Sequence, residues 1–92
     1  MELSEDEKAL LYLIVKAGRP VSPSDYFHGI HPPTFAPSVE GPERDAWVEK
    51  QIGLYGAYLG LDQKGLVEVA VPADGRIPDL VVPTDAGRAL IG

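Results

Sequence analysis

The 92-residue sequence predicts one small domain of the α+β class. Three observations lead to this prediction: a capped amphipathic helical segment near the N-terminus, a longer helical segment from Pro42 to Lys64, and a change to β-branched residues directly after Gly65. A chain of this length buries roughly 60–70% of the surface that its unfolded form exposes. That suffices for one core, so we assign residues 1–92 to a single domain.

The composition excludes several classes of protein. Hydrophobic residues make up 45% of the chain, which is typical of a globular protein rather than a disordered one. The absence of cysteine excludes disulfides, thiolate metal sites and cysteine nucleophiles. No apolar run approaches the ~18 residues that a bilayer-spanning helix requires. The first residues are acidic, unlike a secretory signal, so we expect a cytoplasmic protein with no membrane partner.

The sequence does not predict an enzyme. No glycine-rich phosphate-binding loop is present, and the acidic residues cluster at exposed helix starts. Asp25, His28 and His31 are spaced by three, but Gly29 and Pro32 interrupt the helix that would align them as metal ligands. We therefore expect no catalytic residues, no metal, no cofactor and no small-molecule substrate.

The first predicted helix runs from Ser4 to Ala17. Ser4 and Glu7 have the spacing of a capping box, and Gly18 followed by Pro20 ends the helix. Four apolar residues recur at helical spacing and predict one buried stripe: Leu10, Leu13, Ile14 and Ala17.

A second, short helix is predicted to begin at Ser22. Ser22 is a typical N-cap and Pro23 suits the first helical position. The segment from Ile30 to Gly41 then holds three prolines and shows no period, which predicts a loop insert. Such a loop either docks a partner or covers the open end of the core.

The third predicted helix, Pro42 to Lys64, is the longest and ends at Gly65. Its apolar residues form two adjacent stripes: Val48, Ile52, Tyr55 and Leu59 in one, and Trp47, Leu54, Tyr58 and Leu61 in the other. Two stripes predict burial over more than half of the circumference, so we expect this to be the central helix. Trp47 is expected in the core with its indole N–H satisfied at the edge.

The last third of the chain predicts a β-hairpin and a short helix. Leu66 to Val71 and Leu80 to Val82 are the two strands, and Asp74-Gly75 lies at the turn. Thr84 is the predicted cap of a final helix, residues 85–90, whose apolar residues Ala86, Ala89 and Leu90 are expected to face inward.

This order of elements resembles a compact winged helix-turn-helix domain: three helices, a two-stranded wing hairpin and a short C-terminal helix. Residues 61–68, the Asp74-Gly75-Arg76 tip and residues 82–90 are similar to the corresponding segments of the MarR-type transcription regulators. The resemblance covers about residues 54–91 and implies DNA binding, with the third helix in the major groove and Arg76 at the minor groove. Lys50, Gln51 and Lys64 would then be further DNA contacts.

The third helix itself favours a protein partner or self-association over DNA. After Lys50 and Gln51 it offers glycines and apolar residues up to Gln63, and a net charge of −6 gives little attraction to phosphates. Gly53, Gly56 and Gly60 lie on one side, and the helix also presents two tyrosines, Tyr55 and Tyr58, which favour interfaces.

These residues predict a regulatory or adaptor module that binds through the third helix and the wing. Two alternatives stay open. The first or the last helix of the same chain fills the glycine groove, or the protein is a MarR-like sequence-specific DNA-binding regulator.

Overall fold

The computed structural model describes residues 2–32 and 41–91. Within these ranges the chain forms an α+β fold of four α-helices and one antiparallel hairpin. The elements, in order, are helix α1 (Glu5–Ala17), a 3₁₀ turn (Pro23–Tyr26), helices α2 (Phe27–Ile30) and α3 (Pro42–Gln63), strands β1 (Val67–Val71) and β2 (Leu80–Pro83), and helix α4 (Asp85–Ile91). Most of the predicted proline-rich insert, residues 33–40, lies outside the described residues.

Helix α1 has the predicted ends. The Ser4 hydroxyl accepts the backbone N–H of Glu7 at 3.1 Å, and the Glu7 carboxylate accepts the backbone N–H of Ser4 at 2.9 Å. Two amide groups without helical partners are thereby satisfied. At the other end Gly18 adopts a left-handed conformation with φ of 67°, which glycine tolerates at little cost.

The second predicted helix differs from the expectation. A 3₁₀ turn begins at Pro23, and α2 is a single α-helical turn from Phe27 to Ile30. The assignment of Ser22 as a side-chain cap is wrong, because the buried Ser22 hydroxyl pairs with the Ser24 hydroxyl at 2.9 Å instead.

Helix α1, rather than α3, lies at the centre of the fold. It contacts α3, α4 and β2, and Leu10, Leu11 and Ile14 are completely buried. Three further fully buried side chains belong to the same cluster, and Leu54 is also fully buried; the three are Leu61, Leu66 and Val81. The prediction that α3 is the central helix is therefore wrong, because α1 covers one side of α3 and no described element covers the opposite side.

The hairpin is present as predicted and is anchored on the core. Val67 pairs with Pro83 and Val69 with Val81, and an irregularity follows between Val69 and Val71. Val21 adds an isolated bridge to Val81, with N–H to carbonyl distances of 3.0 and 2.8 Å. This bridge, which the sequence analysis did not predict, ties the hairpin to the segment that follows α1.

Helix α4 is capped by Thr84, but it faces the core through other residues than predicted. The Thr84 hydroxyl accepts the N–H of Gly87 at 3.1 Å and donates to the Gly65 carbonyl at 2.6 Å. Gly87 is buried so tightly that a Cβ would overlap the carbonyl oxygen of Leu66. The inward orientation expected for Ala86, Ala89 and Leu90 is wrong, since all three are exposed.

Candidate interaction surface

One side of α3 exposes a line of large apolar side chains. Ile52 is 65% exposed, Tyr55 55%, and Val48 and Leu59 40% each. They follow one another at i, i+4, i+7 and i+11, so they form one narrow stripe on the side away from the buried Leu54. We call these four residues the outer face of α3. The predicted burial of this stripe is wrong.

A shallow apolar groove continues the outer face toward α2. Phe27, His28 and Trp47 line it beside Val48 and Ile52. The His28 ring meets the Trp47 ring edge-on, with centroids 5.1 Å apart and an angle of 72° between planes. The groove thus has an aromatic wall next to an aliphatic floor.

Hydrogen bonds hold the wall of this groove in place. The Trp47 indole N–H donates to the His31 carbonyl at 2.8 Å, as predicted. The predicted core position of Trp47 is wrong, because its side chain is half-buried and lines the groove. The Gln51 amide donates to the same carbonyl at 3.0 Å. The His31 ring in turn contacts the Asp6 carboxylate at 2.9 Å. The end of α2 is therefore tied to both α1 and α3, and Gln51, a predicted DNA contact, is engaged within the chain.

The glycines of α3 face different surroundings. A Cβ at Gly60 would lie 2.6 Å from a Glu7 carboxylate oxygen, and one at Gly53 would lie 3.7 Å from an Asp6 carboxylate oxygen. Side chains of α1 thus occupy the glycine side at these two positions, as the intramolecular alternative predicted. A Cβ at Gly56 would meet no heavy atom of the described part of the chain within 4 Å.

Lys64, another predicted DNA contact, forms an ion pair across the fold. Its ammonium group lies 2.7 and 2.9 Å from the two carboxylate oxygens of the largely buried Glu7. Burial raises the pKa of Glu7, but the hydrogen bonds from Lys64 and Ser4 and the charge of Lys64 outweigh it, so the pKa lies below its ordinary value. The pair joins the start of α1 to the end of α3.

The hairpin tip has an ordered backbone and presents Arg76. The Asp74 carboxylate accepts the N–H groups of Arg76 at 2.9 Å and Ile77 at 3.1 Å, which lowers the pKa of Asp74. The Arg76 side chain is 90% exposed and lies 3.7 Å from the Asp74 carboxylate. Lys50 is also exposed, on α3.

The two tyrosines of the predicted partner surface have different roles. Their rings meet edge-on at 6.4 Å, but Tyr55 belongs to the outer face whereas Tyr58 packs against the core. Burial is the main reason that the pKa of Tyr58 is raised. The sequence predicted Tyr55 as an interface residue, but its helical periodicity placed Val48, Ile52 and Leu59 in the core. One signal in the sequence could have indicated an exposed apolar face: residues 51–61 carry no charge. The other predicted elements are too few and too short to cover both apolar stripes of this helix.

The surface offers apolar area with a polar margin, which suits binding by shape. Among residues 2–32 and 41–91, no three histidine or acidic side chains cluster as a metal site would require. Nor does any helix in those ranges combine the length and apolarity that crossing a membrane takes.

Comparison of the chain with protein-family models, curated proteins and solved structures finds no match.

Proposed function

We propose that this chain is a winged-helix module that binds a protein partner through the outer face of α3, with the hairpin as a wing at the margin. The order of helices and hairpin supports the winged-helix assignment, as does the position of the hairpin directly after the long helix. The resemblance of residues 54–91 to MarR-type regulators supports it further.

The observation that carries the proposal is the exposure of the outer face. Side chains of this size and exposure present an apolar area on the order of 400 Å², comparable to the largest patch of a typical monomer, about 300–600 Å². The largest exposed apolar patch of a monomer is often a binding site. Tyr55 adds an aromatic ring of the type enriched at protein interfaces.

DNA binding is the second candidate, and the observation that favours it is the exposed Arg76 on an ordered tip. The other predicted DNA contacts and the outer face of α3 give DNA binding less support. Gln51 and Lys64 hold contacts within the chain, and the outer face presents aliphatic groups where phosphates would lie. A footprint without clustered cations releases few counterions and gains little affinity from them.

Site-specific photo-crosslinking in the native cells tests the proposal. A benzophenone amino acid replaces Tyr55 in one variant and Tyr12 in the matched control, since both tyrosines are about half exposed. We expect a discrete protein adduct from position 55 that is absent from position 12. Equal adducts from both positions, or none from position 55, would refute binding through the outer face.

A gel-shift titration tests the second candidate. A complex with duplex DNA at low salt, lost steeply as salt rises and weakened in Arg76→Ala, would favour DNA over a protein partner. Under the first proposal we expect no complex that depends on Arg76.

A further inference from the structure

We propose that the partner on the outer face of α3 is a second copy of this chain, whose own α3 packs antiparallel to the first. This inference rests on the proposed function and specifies its partner. Four features of α3 support it: the spacing of the outer face, the distribution of charge along it, the pairing of its ends and its size.

The spacing is that of a helix-pairing seam. Val48, Ile52, Tyr55 and Leu59 are separated by four, three and four residues, so Val48 and Tyr55 are seven residues apart, as are Ile52 and Leu59. This is the repeat at which apolar side chains of two helices interdigitate along a common line. Since the core face of α3 is already packed through Leu54, the seam is a second, independent packing face.

The charge distribution removes the main obstacle to self-association. Two copies each carrying −6 repel one another, and an uncharged contact surface avoids adding short-range repulsion to this. Residues 51–61, which contain the centre of the seam, hold no charged side chain. The charged residues of α3 lie on either side of this stretch, at positions 43–45, 49 and 50 before it and at Asp62 after it.

The ends of the seam match in an antiparallel pair. When Val48 of one copy faces Leu59 of the other, Ile52 faces Tyr55. At 3.6 residues per turn, Arg44 and Asp62 fall on one flank of the seam. Arg44 of one copy then lies beside Asp62 of the second copy, which is a favourable pairing.

On the opposite flank, the same alignment places Asp45 beside Gln63 of the second copy. It also sets Asp45 at the level of Asp62 of the second copy, but on the opposite flank of the seam, whereas Arg44 shares the flank of that Asp62. Antiparallel alignment also opposes the two helix dipoles.

The area implies a reversible dimer. A standard protein interface buries about 800 Å² per partner. The outer face supplies about half of this area, and the walls of the groove beside Trp47 with the polar margin supply more. We therefore expect a small interface that dissociates on dilution.

Sedimentation equilibrium of the purified chain tests the inference. We expect the apparent mass to rise with concentration from 9.9 kDa toward twice that value. Ile52→Glu should weaken association at least tenfold while leaving the thermal unfolding curve unchanged, because Ile52 is mostly exposed. Tyr12→Glu on the exposed side of α1 is the matched control, since Tyr12 is half exposed and lies outside the proposed surface, and it should associate like the wild type.

Cysteine cross-linking tests the alignment, and the cysteine-free sequence gives a clean background. In the antiparallel pair, Val48→Cys and Leu59→Cys chains should form a disulfide only when mixed. Equivalent positions are then about 16 Å apart along the helices, from eleven residues at 1.5 Å each. A disulfide requires Cα atoms within about 7 Å. Disulfides within each variant alone would refute the antiparallel alignment.

The outcomes separate this inference from the proposed function. A wild-type chain that stays monomeric at its highest soluble concentration refutes self-association. If position 55 still cross-links to a different protein in cells, the proposed function stands and the partner is another chain. If the wild type dimerises and Ile52→Glu dimerises equally well, the dimer uses another surface and the inference is refuted.

Discussion

Glu7→Gln removes the charge that joins α1 to the end of α3. The substitution keeps the shape of the side chain and an oxygen that can still accept the Ser4 N–H. What disappears is the acceptor pair for Lys64, whose ammonium group lies 2.7 and 2.9 Å from the carboxylate oxygens. Lys64 keeps its contact with the Glu2 carbonyl at 3.3 Å. The capping box is therefore largely preserved, and the variant probes the ion pair.

The expected loss is moderate because the pair is unequally buried. Hydrogen bonds to charged groups contribute about 1.5–3 kcal/mol. The Glu7 side chain is 10% exposed but that of Lys64 is 32% exposed, so water restores part of the solvation of the freed ammonium group. We expect Glu7→Gln to lower the free energy of unfolding by about 1–2 kcal/mol. In a domain of this size that lowers Tm by roughly 5–15 °C.

A double-mutant cycle with Lys64→Met, followed by chemical denaturation, measures the coupling between the two side chains. We expect a coupling energy of about 1 kcal/mol, since each single variant removes the same contact. Glu5→Gln is the matched control, because Glu5 lies in the same first turn of α1 but is exposed. It reports the contribution of the helix dipole without the ion pair.

The same pair predicts a pH dependence with a definite sign. The pKa of Glu7 is lower in the folded chain than its ordinary value of 4.5. A carboxyl whose pKa is lowered by folding stabilises the fold fully above the unfolded value, and this stabilisation disappears as the pH falls through the folded value. We expect the stability of the wild type to fall more steeply below about pH 5 than that of Glu7→Gln. Equal losses for Glu7→Gln and Glu5→Gln, parallel acid curves or a coupling energy near zero would each refute this account.

Three further substitutions test the packing. Gly87→Ala should destabilise the fold by about 1–3 kcal/mol, because a Cβ would overlap the Leu66 carbonyl. Gly56→Ala should instead stabilise the fold by up to about 1 kcal/mol, because this helical position has open space for a Cβ. Urea denaturation measures both, and effects of the same sign would contradict the packing described. Trp47→Phe should cost about 1 kcal/mol and speed amide hydrogen exchange in α2, because the indole bond to the His31 carbonyl is lost; unchanged exchange would show that Gln51 alone holds the segment.

Local signals in the sequence predicted the elements of the fold well. The capping box of Ser4 and Glu7, the left-handed Gly18 and the Asp74-Gly75 turn each involve residues a few positions apart. Their geometry is decided by nearby backbone groups, so short-range reasoning is sufficient. The change from helical to strand periodicity after Gly65 is equally local, and the strands lie within one or two residues of their predicted bounds.

Periodicity could not decide which apolar side of α3 is covered. Both stripes satisfy the same spacing rule, and only the tertiary arrangement shows that Leu54 and Leu61 are buried, the latter against α1, while Ile52 remains exposed. The ion pair of Lys64 could not be predicted from local spacing either, since its partner Glu7 is 57 residues away in the sequence. Because Lys64 lies at the end of the third predicted helix, the resemblance implied that it contacts DNA. In the structure its ammonium group is paired with the buried Glu7 carboxylate of α1.

The arrangement of α3 separates the residues that pack the fold from those to which we assign the proposed association. Its core side, at Leu54 and Leu61, is fully buried, and its glycine side accommodates the α1 carboxylates at Gly60, so substitutions on either side disturb the monomer itself. The outer face contributes little to that packing, because Ile52 already faces solvent for most of its surface. We therefore expect a polar residue there to weaken the proposed association with little effect on the stability of the monomer. Under the proposed function, this exposed apolar line, which no described element covers, is the surface that contacts another chain.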